Sequence, residues 1–347
     1  MPAQHDSQRY PRVLHVDTTF APENTFTSAL WQAKIDYRAL ANTPAWWRNI
    51  EQKLRLDIDL ARKAIALSKD FDVILCGSEK VGIPLALLGC PKPIVTIVHH
   101  LVPRRKAQLI KVLSVTKHWA RVGVYSKADA EFIAHFFGYP LENTFNYAST
   151  PMGPFDPPAL ISHQDGILLS AGASSRDYPT LVAALAGLPG ISTEIYASSR
   201  FEDAYRGGQT EVIPEWVHFM PDTPHAQLAH RMTTHAWLVA VPIVNTTQYS
   251  AGCSAIMEAS AAGKAVVATR TMGSVDYIQD GITGFLVPPG DSDALREAIR
   301  KLWQDPQLAH RMGLAGRKFV EQYYDPAKVS EEVRQAIMDA YQSSQAH

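Results

Sequence analysis

Glu258 stands within Ser250-Ala-Gly-Cys-Ser-Ala-Ile-Met-Glu-Ala-Ser-Ala-Ala-Gly-Lys-Ala-Val-Val-Ala-Thr269, the segment with the most chemistry to offer. An apolar run from Trp237 to Val244 precedes it and a second, Ala265 to Ala268, follows, so the segment reads as strand, loop, helix, strand. Gly252 lets the backbone crowd a ligand. A helix opening at Cys253 and Ser254 aims free N–H groups and the positive end of its dipole into the loop, an arrangement suited to phosphate. The Ser254 hydroxyl adds a further donor. A carboxylate about 6 Å further along that helix suits a pair of ribose hydroxyls better than a phosphate. These residues together describe a site for a nucleoside diphosphate. The plainer alternatives are a solvated helix glutamate and ordinary helix capping.

Positioning such a site requires a sheet edge, and the chain supplies the elements for two. Short β-rich runs alternate with helical stretches throughout, the pattern of parallel βαβ sheets. Strands are expected at 12–16, 73–76, 94–98, 122–125 and around 144–147, then at 166–171, 192–196, 216–219, 237–241, 265–269 and 285–287. Between the two sets lies Ser149-Thr-Pro-Met-Gly-Pro-Phe-Asp-Pro-Pro158, too rich in proline to enter a sheet interior and suited to a semi-rigid connector. The segment from Pro326 to Ala340 is expected to be helical. The fold class is therefore α/β, and a ligand is expected at the carboxyl ends of the strands, between two domains.

Composition agrees with that plan. A chain of 347 residues, 46% hydrophobic and 19% charged, has room for two ordinary domains with large buried sheets. A net charge of −1 provides no global attraction to nucleic acid, so no nucleic-acid partner is expected. Cys76, Cys90 and Cys253 form no paired motif, which fits a reducing, cytoplasmic setting. The polar N-terminus lacks the apolar segment of a signal peptide, and no run approaches the ~18 apolar residues of a membrane span.

The block Ile256-Met-Glu-Ala-Ser-Ala-Ala-Gly-Lys-Ala-Val-Val-Ala-Thr269, followed by Gly273, Asp280-Gly281, Thr283-Gly-Phe-Leu-Val-Pro-Pro-Gly-Asp291 and Asp293-Ala-Leu295, resembles the donor half of retaining glycosyltransferases of family 4. Ile167-Leu-Leu-Ser-Ala-Gly172, Arg176-Asp-Tyr-Pro-Thr-Leu181 and Trp216-Val-His-Phe219 extend the resemblance upstream, so that it covers roughly residues 90 to 325. It implies the GT-B fold, two Rossmann-like domains with a cleft between them and a C-terminal helix crossing back. The implied divisions are an acceptor-side domain at 1–150, a linker at 151–158, a nucleotide-sugar domain at 159–325 and a helix at 326–347 that packs on the first domain.

The same resemblance implies roles. Glu258 falls at the second glutamate of a Glu-x7-Glu motif and holds the donor ribose. Gly172 and the N–H groups at Gly252, Cys253 and Ser254 approach the diphosphate, which Arg176 grips with two hydrogen bonds. His99, at the end of the strand 94–98, is the histidine expected near the reacting centre, although adjacent His100 leaves the register open. Sugar transfer with retention follows, from a UDP- or GDP-sugar, with no metal and no other cofactor, by a front-face route assisted by the leaving phosphate.

The chain also departs from the pattern. Ser250 stands where the motif has its first glutamate, Ala173 replaces a frequent arginine, and Val16 to Asn24 contains no glycine where an acceptor loop would be glycine-rich. Asn24 and Thr25, with Tyr37, are the acceptor-side candidates. These departures keep two alternatives open, a nucleotide-sugar-binding protein without turnover and a nucleotide-sugar 2-epimerase.

Between Val81 and Ala128 there is no acidic residue, while Lys92, Arg104, Arg105, Lys106, Lys111, Lys117, Arg121 and Lys127 are basic. With Leu109, Ile110, Leu113 and Trp119 interleaved, the stretch 104–121 reads either as a solvated helix or as a surface for an anionic partner. The acceptor expected is a sugar or glycolipid, met by a cytoplasmic protein peripheral to the inner face of the membrane.

Overall fold

The computed structural model describes residues 10–17, 37–40, 56–101, 104–148, 164–197 and 213–346, with the backbone alone for 37–40 and 104–105. Six short strands, β1 (Val13–Val16), β2 (Tyr37–Leu40), β3 (Val73–Cys76), β4 (Ile94–Ile97), β5 (Trp119–Val124) and β6 (Thr144–Asn146), form one parallel sheet in the order β2-β1-β3-β4-β5-β6. Val13 pairs with Tyr37 on one side and Val73 on the other. Helices α1 (Ile58–Leu67), α2 (Glu79–Leu87), α3 (Arg104–Val112) and α4 (Lys127–Phe137) connect the strands.

Both faces of this sheet are covered, which is why its strands are continuous apolar runs. Leu14, Val16, Ile74 and Cys76 point to one face and pack with Leu60, Ala61 and Ala64 of α1. Their neighbours Val13, Val73 and Leu75 point to the other, the period of two that a strand imposes. That second face is closed by Val333, Ile337 and Ala340 of the C-terminal helix α10 (Pro326–Gln345).

A second parallel sheet contains β7 (Ile167–Ala171), β8 (Thr193–Tyr196), β9 (Val217–Phe219), β10 (Ala236–Val241), β11 (Ala265–Thr269) and β12 (Gly284–Val287). Its order is β12-β11-β10-β7-β8-β9, so the chain builds outward from β7 in one direction and from β10 in the other. At that reversal the connections leave on opposite faces and open a crevice beyond the carboxyl ends of β7 and β10. Helices α5 (Tyr178–Ala186), α6 (His225–His235), α7 (Cys253–Ala261), α8 (Ser292–Gln304) and α9 (Pro306–Tyr323) belong to this sheet. Leu181 and Leu185 of α5, Leu295 and Ile299 of α8 and Met312 of α9 pack with Leu168, Leu238 and Val267. Side chains of Asp177, Asp291 and Asp305 cap α5, α8 and α9.

The chain divides into two compact units, Met1–Tyr125 with Asp129–Tyr147 and Ala327–His347, and Ser126–Ala128 with Ala148–Pro326. The proline-rich segment 151–158 lies outside the described residues. Three elements differ from the sequence reading by more than one residue. β2 is an edge strand, where Arg38 is tolerated, and the charge hides it from a search for apolar runs. β5 begins at Trp119, ahead of the expected Val122, because Arg121 interrupts the hydrophobic pattern. The last helix runs on to Gln345. Among the described residues no helix is long and apolar enough to cross a membrane.

Candidate functional site

The loops leaving β7 and β10 meet at the reversal point of the second sheet. Immediately after β7, Gly172 adopts φ +119°, a conformation that side chains resist. Its N–H donates to the Tyr196 carbonyl at 3.1 Å, and its own carbonyl accepts the Tyr178 hydroxyl at 2.5 Å. A Cβ at this position would lie 2.4 Å from Nη2 of Arg176, so the guanidinium sits directly against the bare glycine.

Arg176 is 9% exposed. Its Nε donates to the Ala171 carbonyl at 2.9 Å and its Nη1 to the Ser174 carbonyl at 3.0 Å. No carboxylate among the described residues pairs with it. Burial lowers its pKa from the ordinary value, yet a guanidinium stays charged. The two carbonyls and the more distant Glu258 carboxylate stabilise the cation, and no direct ion pair among the described residues takes up its charge.

The segment after β10 zips onto the same loop. The Val244 N–H donates to the Ser175 carbonyl and the Asp177 N–H to the Pro242 carbonyl, both at 3.1 Å. Gln248 Oε1 accepts the hydroxyls of Ser174 and Ser175, both at 3.2 Å. The loop then turns into α7 through Gly252, whose φ is +82° and which no side chain caps. A Cβ there would come within 2.6 Å of Ile243 Cδ1 and 3.1 Å of Val241 Cγ1. The positive φ and the close approach to the chain's own β10 and the residues after it both favour glycine here.

Cys253 is buried, with its Sγ 3.8 Å from the Tyr249 carbonyl, and its N–H meets the Ser250 carbonyl at 3.3 Å. Ser254 is exposed at the opening of the helix and Ser250 is half-buried in the preceding loop. Glu258 lies further along α7 with its side chain 8% exposed. Its Oε1 accepts from His225 Nε2, at the start of α6, at 3.0 Å. Among the described residues nothing donates to Oε2. The hydrogen bond to Glu258 raises the His225 pKa, against the lowering effect of partial burial. Sequence reasoning missed His225, Tyr178 and Gln248. His225 follows Pro224 in a polar stretch that carries no periodic signal.

His99 belongs to the first unit, just beyond β4. Its ring is exposed, donates from Nε2 to the Gly77 carbonyl at 2.9 Å and lies 5.1 Å from the ring of Tyr125. The His99 N–H donates to Oε2 of buried Glu79 at 3.0 Å. Lys106 Nζ meets Glu79 Oε1 at 2.9 Å and the His100 carbonyl at 3.1 Å. Burial alone would push the Glu79 carboxyl up, but Lys106 and the His99 N–H outweigh it and hold it below its ordinary range.

Several members of the basic stretch are thus engaged within the unit. Lys106 serves Glu79, Lys111 lies 4.7 Å over the Phe136 ring, and Arg121 pairs with Asp339 of α10 at 3.6 Å. Trp119 is buried and donates to the Gly82 carbonyl at 3.0 Å. Leu109 and Val112, by contrast, are 60% and 80% exposed, beside exposed Leu113 and Lys117. Asn24 and Thr25 lie outside the described residues, and for Tyr37 the backbone alone is described.

Residues 207–319 match the family described as Glycosyl transferases group 1. The D-inositol 3-phosphate glycosyltransferase of Streptomyces avermitilis is 32% identical over 132 residues, 37% of this chain and 27% of that protein. Across the curated relatives, the aligned stretches span 16% to 49% of the relative's own length. Among solved structures, sucrose-phosphate synthase from Thermosynechococcus elongatus matches with a TM-score of 0.76 at 17% identity, over 96% of this chain and 100% of that one. Anabaena HepE in complex with UDP and glucose matches with a TM-score of 0.70 at 16% identity, over 95% and 100%. At such identities the likeness is one of fold. By sequence, residues 207–319 are similar to the glycosyl transferases group 1, and along its length the chain has the GT-B fold.

Proposed function

We propose that the protein transfers a sugar from a UDP- or GDP-sugar to a sugar or glycolipid acceptor, with retention at the anomeric carbon and without a metal. The observation that carries this reading is Arg176, a buried guanidinium without a carboxylate partner among the described residues, set beside the uncapped start of α7. Such an arrangement stabilises the charge that develops on a departing diphosphate. Glu258, further along the same helix with no donor to Oε2 among the described residues, supports the reading that it accepts ribose hydroxyls. HepE, which has a similar fold and was solved with UDP and glucose, supports a nucleotide-sugar ligand. In the step proposed, the acceptor oxygen bonds to the anomeric carbon on the face from which the diphosphate leaves. The glycosyl–phosphate bond breaks, and the acceptor proton passes to a phosphate oxygen.

A second reading, binding without turnover, is favoured by Ser250 in place of the first motif glutamate. Incubation with a panel of UDP- and GDP-sugars tests both. Slow release of free nucleotide supports transfer, saturable binding without release supports a binding protein, and an isomerised donor would mean an epimerase. The outward Leu109, Val112 and Leu113 beside Lys117 support contact of α3 with an anionic membrane surface on the acceptor side.

A further inference from the structure

We infer that His225 is a positioning residue of this site: it holds one oxygen of Glu258 so that the other meets the ribose, and so sets a preference for ribonucleotides. The inference rests on the assignment of Glu258 to the ribose. A glutamate side chain has freedom to turn, and the packing of α7 buries this one without fixing which oxygen points where. Among the described residues His225 is the one group that donates to it, from α6, at 3.0 Å. The imidazole is itself 58% exposed, so it is ordered by that hydrogen bond and not by being enclosed. With Oε1 committed, Oε2 is left as the acceptor for a hydroxyl pair.

Charge acts in the same direction. A bare carboxylate near a diphosphate repels it, and a protonated His225 cancels that charge while strengthening its hold on Oε1. The elements packed against α6 include α7, β10 and β8, and on the β8 side Arg231 of α6 is paired with Glu194. From α7 the ionisable groups are Glu258 and buried Cys253, and β10 has none. The hydrogen bond to Glu258 raises the His225 pKa. The protonated pair therefore prevails at lower pH and is lost as pH rises through the raised value, and nucleotide affinity should follow it.

Calorimetric titration with UDP, GDP and their 2′,3′-dideoxy counterparts tests this, using the full chain as wild type, His225→Phe and His225→Gln. His225→Phe is expected to weaken ribonucleotide binding roughly tenfold while leaving the dideoxy forms unchanged, and His225→Gln, which keeps an N–H donor, to restore most of it. Wild-type affinity should decline with rising pH by a component that the Phe variant lacks. Titration of the ligand phosphate is common to both proteins and cancels in their ratio. Wild-type binding with no change in either variant would overturn the role of His225 and leave the nucleotide site standing. Equal losses for ribo and dideoxy ligands would also overturn it, by showing that the ring acts elsewhere. No binding of UDP or GDP to the wild type would remove this inference together with the proposed function.

Discussion

Replacing Arg176 by glutamine separates recognition of phosphate from everything else in the second-sheet crevice. The guanidinium has five N–H donors, and the carbonyls of Ala171 and Ser174 take two of them. Those remaining are available to a diphosphate. Two charge-assisted hydrogen bonds at about 1.5 kcal/mol each come to about 3 kcal/mol, or roughly a hundredfold in affinity. Glutamine retains one polar end and can satisfy one carbonyl, so the cost to folding should stay within about 2 kcal/mol. Removal of a desolvated cation offsets part of that cost. The assay is calorimetric titration of wild type and variant with UDP, GDP, uridine and guanosine, well below the melting temperature of both proteins. The nucleoside diphosphate that binds the wild type should lose roughly a hundredfold in the variant, and its parent nucleoside should lose little. Equal losses for nucleoside and diphosphate would refute the reasoning and move Arg176 out of the phosphate site.

Glu258→Ala should weaken binding of bare nucleoside diphosphate and intact donor alike by about 1.5–3 kcal/mol, and unchanged diphosphate affinity in the folded variant would displace the ribose from Glu258. Because the folded Glu79 carboxyl is held below its ordinary range, its contribution to stability is present above that range and is lost as pH falls through the lower folded value. Lys106→Met should leave the buried carboxylate unpaired, cost about 3 kcal/mol at neutral pH and partly recover on acidification; an unfolding profile parallel to wild type from pH 7 down would count against the pair. Wild type should sediment with anionic vesicles in preference to neutral ones, less so at high salt, and Leu109→Glu with Val112→Glu should remove the preference. Equal partitioning of wild type onto both vesicles would reject the membrane surface.

Sheets buried on both faces announce themselves as apolar runs, and Val73–Cys76 and Ala265–Thr269 have the bounds read from sequence for that reason. Strand β2 stayed hidden because an edge position tolerates Arg38, and β5 was cut short by Arg121. The loop-to-helix turn at Gly252 and Cys253 was legible from the residue types, but the packing of that glycine on Ile243 was not, since nothing local records the neighbour. The same holds for side-chain pairs distant along the chain. His225 meets Glu258 across 33 residues and Lys106 meets Glu79 across 27, and no spacing rule links such positions. Lys106 therefore read as one more charge in a basic run, although it is committed to a buried carboxylate.

Hydrogen exchange of the wild-type protein, with and without excess UDP or GDP, locates the nucleotide directly. One of the two should slow exchange in residues 172–178 and 250–258, the loops and helix start beyond β7 and β10, and Arg176→Gln should abolish the effect in both segments. Protection confined to other segments, or none with either nucleotide at saturating concentration, would contradict the assignment of the second-sheet crevice to a nucleotide-sugar donor.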